Sequence, residues 1–105
     1  CYSVFLREWL AVFHRKHFIF IRTEDYHRDM KGSLESTFTF LGVEVLPTTL
    51  MDTILQPVNK LENASKRMAG PMYEQTRKLL NDFYAPCKAD LRDLLGDDKY
   101  LWLDH

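Results

Sequence analysis

Residues 22–25 read Arg-Thr-Glu-Asp and follow directly on the apolar run Phe18-Ile19-Phe20-Ile21. A cation and two adjacent acids at the edge of a buried segment can pair with one another as a polar clamp. They can also face a ligand crevice, of the kind that open α/β sheets place at the carboxyl ends of their strands. An acidic pair is a poor neighbour for an anionic ligand, because desolvating two carboxylates is costly unless a cation or a backbone amide meets them. The residue types therefore favour a structural network of Arg22, Glu24 and Asp25, with support of a ligand pocket as the second reading.

Four histidines, His14, His17, His27 and His105, have side chains able to bind metal or move protons. The pair His14-x-x-His17 straddles an expected helix–strand junction, and no glutamate or cysteine completes a ligand set, so no metal is expected. Cys1 and Cys87 could pair in an oxidising compartment, but two cysteines make no framework. Both are expected to be unpaired, as small buried hydrophobes. Asn63-Ala64-Ser65 is an acceptor pattern for N-glycosylation, meaningful if the chain is luminal, and is expected to be unused.

The elements that must hold these residues can be read from the hydrophobic pattern. Tyr2, Phe5, Leu6, Trp9, Leu10 and Phe13 recur at three- and four-residue steps, which predicts an amphipathic helix with the aromatic residues in the core. The basic break His14-Arg15-Lys16-His17 leads into residues 18–21, whose unbroken apolar character predicts a strand buried on both faces. Met30, Leu34, Phe38 and Leu41 predict a second helix, ended by Gly42. From 43 to 71 three prolines and scattered polar residues describe a long connection, with one short helix near 51–55. Leu79, Leu80, Phe83 and Tyr84 then share a helix face, as do Leu91, Leu94 and Leu95. Pro86 between them predicts a kink or restart near Ala85, and Gly96 closes the second half. Trp102 fits no periodic pattern and reads as an aromatic residue tucked against the domain by the tail.

With 105 residues, ordinary globular composition and a net charge of −1, the chain has no overall electrostatic hold on nucleic acid or an anionic membrane. Any polyanion site must come from a local cluster. No apolar run approaches the roughly 20 residues that span a bilayer. One strand cannot make a parallel sheet by itself, since its backbone would lack ladder partners, so the partner strands are expected elsewhere. The chain also opens on Cys1 within a helical pattern. Both points lead to the expectation that it is the C-terminal piece of an α/β domain.

Taken together, "FLREWLAVFHRKHFIFIRTEDY", "SLESTFTFLGV" and "SKRMAGPMYEQTRKLLNDFYAPCKADLRDLLG" resemble the C-terminal portion of the sulfotransferase superfamily. The likeness is closest to Golgi carbohydrate sulfotransferases acting on chondroitin- and dermatan-type glycosaminoglycans. It rests on the helix, strand, Glu-Asp order, on the helix ending in Phe-Leu-Gly, and on a Gly-Pro-Met turn followed by "LLNDFYAPCKADL".

The resemblance implies that residues 1–105 are the C-terminal portion of one α/β, P-loop-like parallel-sheet sulfotransferase domain, here mostly helices around one buried strand with a long loop. It implies transfer of a sulfuryl group from 3′-phosphoadenosine-5′-phosphosulfate (PAPS) to a glycosaminoglycan hydroxyl, without metal and without nucleic acid as a partner. It also implies a Golgi lumen location, with a membrane anchor and the catalytic base both upstream. No catalytic residue is expected within the 105 residues, which alone should be inactive. In cytosolic relatives a late loop of the form Arg-Lys-Gly-x-x-Gly wraps the nucleotide's 3′-phosphate. Here Lys66 falls on the family's lysine and Gly70 on its second glycine, while Ser65 replaces the arginine and Arg67 the first glycine. Lys66, Arg67 and Gly70 are therefore the expected cofactor-binding residues, Arg67 supplying by guanidinium what a backbone amide supplies elsewhere. Thr23 stands where cytosolic relatives carry an aromatic residue near the adenine. Two other readings are a soluble enzyme sulfating small phenols or alcohols and a non-enzymatic helical interaction module.

Overall fold

The computed structural model describes residues 1–56 and 68–103. Five α-helices are placed among them: α1 (Tyr2–Val12), α2 (Thr23–Arg28), α3 (Met30–Leu41), α4 (Thr48–Ile54) and α5 (Glu74–Leu95), with 3-10 turns at Arg15–His17 and Asp98–Leu101. The chain divides into two compact units, one made of Cys1–Arg15 with Asn63–His105, the other of Lys16–Glu62.

In the first unit α1 and the turn Asp98–Leu101 both pack on α5. The inward face of α1 is not the expected aromatic stripe. Ser3 is buried and Leu6 and Leu10 are half-buried, whereas Tyr2, Phe5, Trp9 and Phe13 are exposed. At about 100° per residue, Ser3, Leu6 and Leu10 lie one step round from Tyr2, Phe5 and Trp9, and the small serine lets two backbones approach where an aromatic ring would hold them apart. The cysteines are also not free: Cys1 and Cys87 form a disulfide, with Cα atoms 5.1 Å apart. Docking of α1 on α5 brings together two thiols that lie 86 residues apart in sequence, a proximity the spacing alone does not reveal.

Helix α5 runs for 22 residues as one element that includes Pro86, so the helix does not restart there. Pro86 withholds one backbone donor from the carbonyl of Asp82, and both residues are exposed, so water can satisfy that acceptor. Residues 74–86 are exposed throughout; packing begins at Cys87 and is deepest at Leu91. Gly96 ends the helix at φ 74°, its amide donating to the Arg92 carbonyl, a left-handed position that glycine tolerates. Asp97 then caps the following turn through the Lys99 amide at 2.9 Å. Tyr100 is buried beneath Trp102, their rings meeting edge to face at 6.1 Å, so the tail does tuck its aromatic residue inward.

In the second unit residues 18–21 form no strand, and none is present among the described residues, so the sheet of the expected α/β architecture is not seen. Nor is the segment covered on both faces, since Ile19 and Ile21 are exposed. It nonetheless has the alternation of a strand: Phe18 and Phe20 are half-buried and stack at 6.0 Å with their planes 5° apart. Side chains at i and i+2 meet this way only where the backbone is extended. A ladder needs a partner's donors and acceptors, which the described residues do not offer here. Asp29 caps α3 by accepting from the Gly32 amide at 2.9 Å, and a Schellman closure at Gly42 ends it, with Val43 donating to Phe38 and Gly42 to Thr39. Met51 of α4 is the fully buried residue of this unit.

Candidate functional site

The Arg-Thr-Glu-Asp stretch resolves into a clamp at the start of a helix that the hydrophobic pattern did not disclose. Arg22 precedes α2 in extended conformation, and Glu24 and Asp25 occupy the first turn, where the helix dipole favours acids; His27 and Arg28 occupy the last. That charge order is the signal from which α2 could have been found. The Arg22 guanidinium donates through Nε to Asp25 Oδ2 at 2.8 Å and through Nη2 to Oδ1 at 2.7 Å, a bidentate pair. Arg28 adds a weaker approach to the same carboxylate at 3.6 Å. With its side chain 3% exposed, Arg22 is a buried cation already matched to an acid. Glu24, in the first turn of α2, is exposed, while the Arg22–Asp25 part of the network expected for this stretch is present. It makes Asp25 a poor general base, because both oxygens are occupied by a guanidinium, and it makes Arg22 a poor phosphate ligand.

The expected nucleotide loop lies mostly outside the described residues: Lys66 and Arg67 fall there, as does Asn63-Ala64-Ser65. Gly70 is described, exposed and outside any helix. A Cβ built on it would meet nothing within 4 Å, so no neighbour among the described residues requires a glycine at this position. Gly70-Pro71-Met72 leads directly into α5, whose first turn carries Glu74.

A second polar cluster joins α1 to α5. The exposed pair Arg7–Asp90 is bonded through Arg7 Nη2 and Asp90 Oδ1. The Asp90 carboxyl is held below the usual carboxylate range, first by the neighbouring Ser3 hydroxyl and then by Arg7. Ser3 Oγ itself is buried and forms no hydrogen bond of standard geometry. On the exposed part of α5, Lys78 donates to Asp82 at 2.7 Å, which raises its pKa through that bond and then through the charge of Asp82. Among the described residues no group of three His, Cys, Asp or Glu side chains is gathered as a metal site would require.

The helix, extended segment and Arg-Thr-Glu-Asp clamp in this order coincide with a known family: residues 2–79 match the family model described as the sulfotransferase domain. The chain belongs to the sulfotransferase family. Within it, the proteins named carbohydrate sulfotransferase 15 of Homo sapiens and Rattus norvegicus are 32% and 31% identical to the chain over 102 residues, covering 96% of the chain and 18% of each relative. The protein of the same name from Nototodarus sloanii is 32% identical over 88 residues, covering 81% of the chain and 54% of that relative. The chain thus spans about a fifth of the length of its mammalian relatives and about half of the other. No solved structure matches it.

Proposed function

We propose that the protein carrying these residues is an enzyme transferring a sulfuryl group from PAPS to a hydroxyl of a glycosaminoglycan sugar. The observation that carries this is the likeness to carbohydrate sulfotransferases across 96% of the chain, which favours a carbohydrate acceptor over small phenols and speaks against a non-enzymatic module. In this reading residues 1–105 are the C-terminal portion of one sulfotransferase domain. The extended segment 18–21, with Ile19 and Ile21 still open, would pair into its parallel sheet.

The donor supplies a sulfuryl group on a nucleotide whose phosphates need cations and backbone donors. Arg22 is already paired with Asp25, so contact with the 3′-phosphate is assigned, by the likeness to the family's late loop, to Lys66 and Arg67, with Gly70 on the same loop. Arg22 and Asp25 hold the junction between the extended segment and α2 at the strand's carboxyl end, where open α/β sheets place their crevices. A Golgi lumen location is supported by the Cys1–Cys87 disulfide, which suits an oxidising compartment, and is compatible with the acceptor pattern at Asn63.

The test is donor affinity in the full-length protein. Lys66→Ala and Arg67→Ala should each raise the KM for PAPS roughly tenfold, in line with loss of about 1.4 kcal/mol from one charged phosphate contact. An unchanged KM in both variants would remove these residues from the site. The 105 residues alone should transfer no radiolabelled sulfate to chondroitin, and measurable transfer would contradict that expectation.

A further inference from the structure

We propose that the Cys1–Cys87 disulfide is a thiol-exchange site that makes docking of α1 conditional on an oxidising environment. The docking has little else to hold it. Helix α1 has 11 residues, a length at which isolated helices are marginal in water. It lacks a side-chain cap at Cys1, acids in its first turn and basic residues in its last. Of its residues Ser3 alone is buried, with an Oγ that makes no hydrogen bond of standard geometry, and Leu6 and Leu10 are half-buried. The Arg7–Asp90 pair is about half exposed on both sides, where ion pairs contribute little. The far side of α5 is held differently. Leu91 and Tyr100 are buried, Gly96 closes the helix and Asp97 caps the turn, none of which involves a sulfur atom. Loss of the disulfide is therefore expected to free α1 and leave the rest of the unit in place.

The disulfide joins an exposed residue, Cys1, to a half-buried one, Cys87. Cys1 and Cys87 are the two cysteines of these 105 residues, and the reductant we consider is an external dithiol. One thiolate of that dithiol attacks Cys1 Sγ. The Sγ–Sγ bond breaks with its electron pair going to Cys87 Sγ, which takes a proton from water. The dithiol's second thiolate then attacks its own sulfur in the mixed disulfide, releasing Cys1 as a thiol after protonation. Two electrons pass to the protein and the reductant leaves as a cyclic disulfide.

The experiment is hydrogen exchange of the intact protein with and without dithiothreitol, preceded by alkylation and mass measurement. Before reduction neither cysteine should alkylate; after it both should. The amides of α1 should then exchange at least tenfold faster, while those between Leu91 and Tyr100 keep their protection. Cys1→Ser should show the reduced pattern without reductant and give no further response to it. Alkylation of either cysteine before reduction, α1 protection that survives reduction or the Cys1→Ser change, or protection lost equally across α5 would each overturn the proposal.

Discussion

Asp25 is the residue whose loss the second unit should tolerate least. Its carboxylate accepts two hydrogen bonds from a guanidinium on a side chain only 3% exposed, and removing it takes both from a cation that water scarcely reaches. Asp25→Ala should cost about 3 kcal/mol in chemical denaturation, whereas Glu24→Ala, at an exposed position, should change stability by less than about 0.5 kcal/mol. At Gly32 two effects oppose each other. An added Cβ would press on the Asp29 carboxylate that caps the helix, while alanine gains about 1 kcal/mol of helix propensity. Loss of the cap costs about the same, so Gly32→Ala should be nearly neutral and Asp29→Ala should cost about 1 kcal/mol. For Asp90 the sign follows from its lowered pKa. Folding favours its charged form, so the stabilisation is fully present above the ordinary aspartate value and is lost as pH falls through the lower folded value. Asp90→Asn should therefore flatten the pH dependence of stability below about pH 4, measured by denaturation at stepped pH.

At the scale of elements, α5 joins two environments end to end. Residues 74–86 are all exposed, and most of 87–95 are half-buried or buried. Pro86 sits at the boundary and withholds one helical hydrogen bond, so Pro86→Ala should raise helicity by circular dichroism and stabilise the protein by up to about 3 kcal/mol. The short helix expected near 51–55 is α4, at Thr48–Ile54. Residue periodicity located α1, α3 and α5, because a 3.6-residue repeat, ending in Gly42 or Gly96 in the last two, leaves a clear trace in sequence. It did not tell which side of α1 faces inward, since Ser3 contributes no hydrophobic signal and the aromatic residues dominate the pattern. It expected a kink or restart at Pro86, where the helix instead continues as one element and the orphaned carbonyl of Asp82 meets water. It missed α2, six residues long and marked only by charge order. The Arg22–Asp25 clamp was legible because burying an acid demands a cation close by. The disulfide was not, because pairing depends on a helix contact between residues far apart in the chain.

For the whole molecule, the unequal division of apolar surface is the governing fact. Buried hydrophobic residues among those described are Met51, Leu91 and Tyr100, while Tyr2, Phe5, Trp9, Leu79 and Phe83 are all more than half exposed. Exposed apolar surface on this scale drives association in water. The 105 residues expressed alone should self-associate with rising concentration in light scattering. A Leu79→Lys and Phe83→Lys double change should reduce that association while leaving the unfolding midpoint nearly unchanged, since both side chains are about 70% exposed.

Joining Cys1 to Cys87 also turns most of the chain into a covalent ring, leaving the residues after Cys87 as its tail. In the unfolded state that ring removes conformational freedom worth about 4 to 5 kcal/mol on the loop-entropy relation. It has a second effect that involves no energy at all. A protease that cuts a single bond anywhere between Cys1 and Cys87 opens the circle without releasing a fragment. The nicked protein keeps its mass on a non-reducing gel and falls into two pieces only when the sulfur link is broken.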